Sequence, residues 1–291
     1  MAEPTIRDFL KQFPDDQACL AHLFETRFGP DHVCPGCEKP GRWYPLAKRR
    51  AYTCQWCGHH LYPCVGTPFE SSRTRLVSWF FAVYLFTTSR HGVAAKELER
   101  QLGVTYKTAW RMAHEIRKHM AAVDGDPPLG GQVEIDETYI GGVMKGVGGG
   151  RGLGNKAVLV GMVKRDGHAM TKVVESADRD TLMRGIGHNV RRGSTVHTDE
   201  SKIYRGLEGR GYKHRTVNHS EGEYATKDGA GTNTVEGYFS RLKNSIRGTH
   251  VHVSKKHLQK YAGEFEYRYN RRKRPAAMMP ELLSKFPPCD E

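Results

Sequence analysis

Apolar positions recur at helical spacing in the first part of the chain and at strand spacing after it. Leu10, Phe13, Leu20, Leu23 and Phe24 predict one or two short helices over 5–28, with Pro14-Asp15-Asp16 supplying a turn and a helix start. Thr74 to Leu85 reads as a strongly apolar helix and Val93 to Leu102 as a second, broken by Gly103. Thr105 to Met120 reads as a third, with Thr105 as its N-cap. The stretch from Asp124 to Gly131, rich in Gly and Pro, is a linker by composition. Beyond it the period shortens to that of strands. Gln132–Tyr139, Ala157–Val163 and Thr171–Glu175 are three strands. A helix over Asp180–Val190, a strand over Ser194–Asp199, a helix near Lys202–Arg210, a strand near His214–Asn218 and a helix over Asn233–Arg247 follow. The Gly-rich stretch Gly146–Gly154 lacks the spacing of a phosphate-binding loop and reads as a flexible connection.

This pattern divides the chain into an N-terminal helical segment (1–30), a cysteine-rich segment (31–70), a helical segment (71–123), the linker (124–131), an α/β domain with a mixed sheet (132–275) and a C-terminal tail (276–291). The 291 residues are 38% hydrophobic and 26% charged, enough apolar content for packed cores, which argues against a disordered chain. The formal net charge of +13 attracts polyanions, and nucleic acid, as double-stranded DNA, is the partner this favours. A membrane is the rival, but the longest apolar run, Val77 to Phe86, is far short of the ~20 residues a span requires. The N-terminus carries no signal-peptide pattern.

Seven cysteines are present, and four of them form Cys34-Pro35-Gly36-Cys37 and Cys54-Gln55-Trp56-Cys57, a C-x2-C-x16-C-x2-C arrangement. Two-residue gaps let both thiolates of a pair bind one ion, and two pairs close a tetrahedral shell. Cys34, Cys37, Cys54 and Cys57 are therefore expected to hold one structural Zn2+, in a reducing cytosol. Cys64, His59 and His60 lie nearby as bystanders.

Ala94 to Arg111 has the outline of a helix-turn-helix, with Gly103 at the turn. Its second helix would present Thr105, Lys107, Thr108 and Arg111 to a major groove. In the α/β part, Asp136 falls near the end of the first strand, Asp199 at the end of the fourth, and Glu236 on the later helix. The gaps are 62 and 36 residues. An RNase H-like sheet sets its first and fourth strands side by side, so two acids there would nearly touch unless a cation lay between them. Mg2+ (or Mn2+) takes oxygen ligands and leaves positions for water and phosphate, and a two-ion site suits phosphoryl transfer. At about 100° per residue, Lys243 and Arg247 fall on the helix face of Glu236. Glu134, Glu137 and Glu200 are decoys on this reading, Glu137 being turned to the opposite side from Asp136 by strand alternation. Arg268, Arg271, Arg272, Lys273 and Arg274, interleaved with Tyr267 and Tyr269, form a basic run expected to contact DNA backbone.

With these pieces in place the chain resembles insertion-sequence DDE transposases of the zinc-ribbon group related to Merlin-type elements. The resemblance spans about Phe13 to Arg272. It rests on the Cys34–Cys37 knuckle, Val133–Gly142, Val196–Glu200, Thr232–Lys243 and Tyr267–Arg272. It implies an RNase H-like catalytic domain with Asp136, Asp199 and Glu236 as its acids, Lys243 as basic partner and Asn233, one turn before Glu236, close to the site. The implied activity is cleavage at terminal inverted repeats and transfer of the freed 3′-hydroxyl into target DNA, by a homodimer or larger assembly in the bacterial cytosol. Two other readings stay open: a DNA-binding regulator on a dead nuclease fold, and an RNase H-like nuclease without strand transfer.

Overall fold

The computed structural model describes residues 4–141, 156–217 and 231–287, so the expected loop at Gly146–Gly154 lies outside the described residues. The chain forms two compact units, Met1–Val123 with Lys273–Glu291, and Asp124–Arg272.

In the first unit, α1 (Ile6–Gln12) opens with a capping box. The Thr5 hydroxyl accepts the Asp8 N–H at 3.2 Å and the Asp8 carboxylate accepts the Thr5 N–H at 2.9 Å. Asp15 caps α2 (Asp16–Phe28), its carboxylate accepting the Ala18 N–H at 2.9 Å. The strands β1 (Trp43–Pro45), β2 (Tyr52–Cys54) and β3 (His60–Leu61) form an antiparallel sheet. Next come α3 (Leu76–Thr88), α4 (Ala95–Leu102) and α5 (Tyr106–Asp124). The core is aromatic: the Phe13 and Phe80 rings meet edge-on at 4.9 Å and Phe69 lies 5.5 Å from Phe80.

Residues 276–291 are not simply a tail. Met278, Met279, Leu282 and Leu283 recur at helical spacing, and they are buried in α9 (Met278–Ser284), which packs on α2 and α3. His22 and His119 each place a ring nitrogen on a carbonyl of this helix, Leu283 O at 3.0 Å and Leu282 O at 2.8 Å.

The second unit is a five-stranded mixed sheet of order β6-β5-β4-β7-β8. Its strands are β4 (Gln132–Ile140), β5 (Ala157–Lys164), β6 (Ala169–Val174), β7 (Thr195–Asp199) and β8 (Lys213–Val217). The first three pair antiparallel; β7 and β8 run parallel to β4. Strand alternation splits the core. Val133, Ile135, Val160, Met162 and Val196 pack with α6 (Arg179–Asn189) on one face. Leu159 and Val163 pack on the other with Val235, Tyr238 and Phe239 of α7 (Asn233–Ser245), and with Leu258, Ala262 and Phe265 of α8 (Lys255–Asn270). Gly161 lets α7 approach closely, since a Cβ there would meet the Phe239 ring at 2.6 Å.

The segment Lys202–Arg210, expected as a helix, forms two short 3-10 turns, Lys202–Tyr204 and Glu208–Arg210, broken by Gly206 at φ 90°. A larger departure is α8, where a basic run was expected. Its polar residues cover the free edge of β6. Gln259 bonds Val173 N–H (2.8 Å) and Thr171 O (3.0 Å), Glu266 accepts Thr171 N–H (2.7 Å), and Asn270 bonds Ala169 N–H (2.7 Å) and O (3.0 Å). Tyr267 and Tyr269 are core residues. Arg271 is 5% exposed, lies over the Tyr267 ring and is ion-paired with Asp124, so it is closed off from a DNA partner. Arg272 remains exposed beside Tyr269.

Candidate metal and nucleic-acid sites

The knuckles bring Cys34, Cys37, Cys54 and Cys57 together with all four sulfurs within 4.8 Å of one another. Cys34 and Cys57 are separated by 3.6 Å and Cys37 and Cys54 by 3.9 Å. Four thiolates at about 2.3 Å from a tetrahedral zinc would stand about 3.8 Å apart, so the spacing fits that ion. The β1–β2 pairing holds Cys54 opposite Trp43. Cys64 is buried outside this group, its thiol pushed up to about 11 by burial.

Asp136 is the fifth of nine residues of β4, in mid-strand and not near its end. What ends there is the pairing with β7. Its last partners are Glu134 and His197, and the same offset two residues on sets Asp136 level with Asp199, the last residue of β7. Both acids lie on the face that carries α7, since Val133, Ile135 and Val196 occupy the other. Asp136 Oδ1 accepts the Glu137 N–H at 2.8 Å and Asp199 Oδ1 the Ser201 N–H at 3.1 Å.

Glu236 stands in the first turn of α7, and its Oε1 accepts the Thr232 hydroxyl at 2.8 Å. Asn233 is exposed at the first helical residue. Among the described residues the four cysteines are the one group of three or more Cys, His, Asp or Glu placed to hold a metal ion.

Lys243 faces this group. Its ammonium is held below the ordinary lysine value, first by burial, then by Arg247, with Asp136 acting in the opposite sense. Arg247 lies past the end of α7, in a π-helical turn over Ile246–His250, so the straight-helix phase does not extend to it. Even so, Lys243 and Arg247 line one cavity of about 290 Å³ with Tyr139, Ile140 and His252.

Two glutamates set aside from the sequence occupy key positions. Glu134, 1% exposed, accepts the Thr234 N–H (2.7 Å), the Val235 N–H (3.1 Å) and the Thr234 hydroxyl (2.9 Å) at the start of α7, and is ion-paired with Arg165 at 2.7 Å. Alternation from Asp136 could have placed it on that face. Glu137 turns to the other face beside Tyr204. Burial pushes its carboxyl up to about 7; the Tyr204 hydroxyl opposes this, and Asp136 and Asp199 add to it.

In the first unit Gly103, left-handed at φ 63°, ends α4, and the Thr105 hydroxyl accepts the Thr108 N–H at 3.4 Å to start α5. Thr105, Lys107 and Arg111 are exposed and Thr108 is half-buried.

Comparison with known proteins finds two matching domains. Residues 128–270 match the ISXO2-like transposase domain and residues 14–60 the transposase zinc-ribbon domain. The chain belongs to the zinc-ribbon group of insertion-sequence DDE transposases. It is 27% identical over 280 residues to an uncharacterized protein in transposable element ISH50 of Halobacterium salinarum, covering 89% of this chain and 92% of that one. Among the described residues, no helix is long and apolar enough to cross a membrane.

Proposed function

We propose that this transposase binds the terminal inverted repeats of its element, cuts at their ends and joins the 3′-hydroxyl to target DNA. The observation that carries the reading is the register that sets Asp136 level with Asp199, on the sheet face that bears Glu236 and Lys243. The strand order, three antiparallel strands followed by two parallel ones, supports an RNase H-like catalytic domain.

The oxygen-only donor set of Asp136, Asp199 and Glu236 fits Mg2+ or Mn2+. Two such ions would activate the attacking hydroxyl and steady the leaving oxygen. Glu236 would exchange the Thr232 hydroxyl for metal. Lys243 and Arg247 would hold the phosphate beside the cut, and Asn233 would stand at the rim of the site. Cys34, Cys37, Cys54 and Cys57 would keep the ribbon folded around one Zn2+. Thr105, Lys107, Thr108 and Arg111 would read the repeat as a helix-turn-helix, with Arg272 on the DNA backbone. Joining two ends requires at least two copies of the chain on DNA, and the reaction belongs in the bacterial cytosol.

Purified protein would be incubated with Mg2+ and duplexes carrying the repeats that border its gene, wild type beside Asp136→Ala. Cutting at the repeat ends by wild type alone is expected. Cutting of arbitrary DNA without end preference would mark a plain nuclease. Binding without cutting, unchanged by the substitution, would mark a regulator.

A further inference from the structure

An open cleft of about 580 Å³ lies where the linker meets the beginnings of β4 and β7, lined by Pro127 to Gly131, Lys164, Gly167, His168 and Arg191 to Ser194. Three of these side chains are cations, a fourth is histidine, and no lining residue is acidic. Lys164, Arg191 and Arg192 are exposed and make no ion pair among the described residues. Their stems lie over glycine backbone. A Cβ on Gly167 would meet Lys164 Cδ at 2.9 Å, one on Gly130 would meet Arg191 Cδ at 3.3 Å, and one on Gly211 would meet Arg192 Cδ at 3.8 Å. Glycine at 167 and 130 lets Lys164 and Arg191 lie against the rim, with less side-chain entropy left to lose on binding. Crowded like charges without an acid favour an anion between them.

We infer that this cleft is a second DNA-backbone site, gripping phosphates of duplex DNA away from the strand being cut. Gly131 and Ser194 precede Asp136 and Asp199 by five residues each, so the cleft lies about 16 Å along the strands from the acids at about 3.3 Å per residue. At that distance it contributes affinity and leaves the chemistry to the acids. The inference rests on DNA being the substrate of the proposed function.

The test is the affinity of the zinc-loaded full-length protein for a blunt duplex in Ca2+, measured as salt is raised. Each phosphate contact adds about 0.9 to the slope of log K against log salt. Arg191→Ala/Arg192→Ala should lower the slope by about 1.8 and Arg192→Gln alone by about 0.9. The control Arg7→Ala/Lys11→Ala, which removes two exposed cations from α1, should leave it unchanged. Zinc content and circular dichroism would show that each variant folds. A slope equal to that of wild type in the double variant overturns the inference, whether or not the protein cuts. A lowered slope in a protein that binds but never cuts would keep the cleft and remove the nuclease reading. Absence of duplex binding in the wild type would remove both.

Discussion

Glu134 accepts the backbone N–H of Thr234 at 2.7 Å, tying the middle of β4 to the first turn of the helix that carries Glu236. Two residues along the same strand face stands Asp136. One buried carboxylate thus fixes the height of the third acid against the first, and its charge is balanced by Arg165 and by the amides at the start of α7.

Removing that carboxylate takes the acceptor from two amides at the start of α7 and one of several acceptors from Arg165, which keeps Gln132 Oε1 and the Gly231 carbonyl. Glu134→Ala should destabilise the protein by about 1–3 kcal/mol, read from urea unfolding, because amides at the start of α7 lose a buried acceptor. Glu134→Gln keeps one acceptor and should cost less. A loss below 1 kcal/mol for Glu134→Ala, taken as about the worth of one ordinary hydrogen bond, would show that the tie is dispensable.

Burial holds His22 and His119 below the ordinary histidine value, and the Leu283 and Leu282 carbonyls oppose the shift. Above about pH 6.5 both forms of the chain carry neutral rings. Below it the unfolded chain takes up protons that the folded unit resists, so stability falls as pH drops through 6.5. Thermal unfolding from pH 8 to pH 5 should show this fall, with a shallower one in His22→Gln/His119→Gln. Equal slopes would clear the two histidines of the effect.

Zinc removal should unfold the ribbon, since β1, β2 and β3 are two or three residues each and carry little core of their own. One zinc per chain is expected by metal analysis. Chelation or Cys34→Ser should change the fluorescence of Trp43 and Trp56. An unchanged spectrum after complete zinc loss would contradict a structural ion.

The edge of β6 offers a local test. Asn270→Ala strips partners from both the N–H and the carbonyl of Ala169 and should cost about 1–3 kcal/mol. Amide exchange at Ala169 should quicken with it. Exchange at the wild-type rate would show that α8 does not protect the edge.

The sequence carried the strands well, because their two-residue alternation is local and Val133, Ile135 and Val196 obey it. The cysteine knuckles were equally plain, since their spacing is itself the chemistry. The helix α8 was not, because Gln259, Glu266 and Asn270 look like solvent-facing polar residues until β6 is placed beside them. The same holds for Arg271, whose burial follows from Asp124 and Tyr267 and not from its basic neighbours. Glu134 was passed over for a related reason: a buried acid and an exposed one read alike until their partners are known.

The most direct measurement is the position of manganese in crystals of the protein with duplex DNA, located by anomalous scattering. The expected result is density within coordination distance of both Asp136 and Asp199, with the Glu236 carboxylate drawn off the Thr232 hydroxyl toward it. Manganese bound elsewhere, with Glu236 still on the Thr232 hydroxyl, would contradict the account.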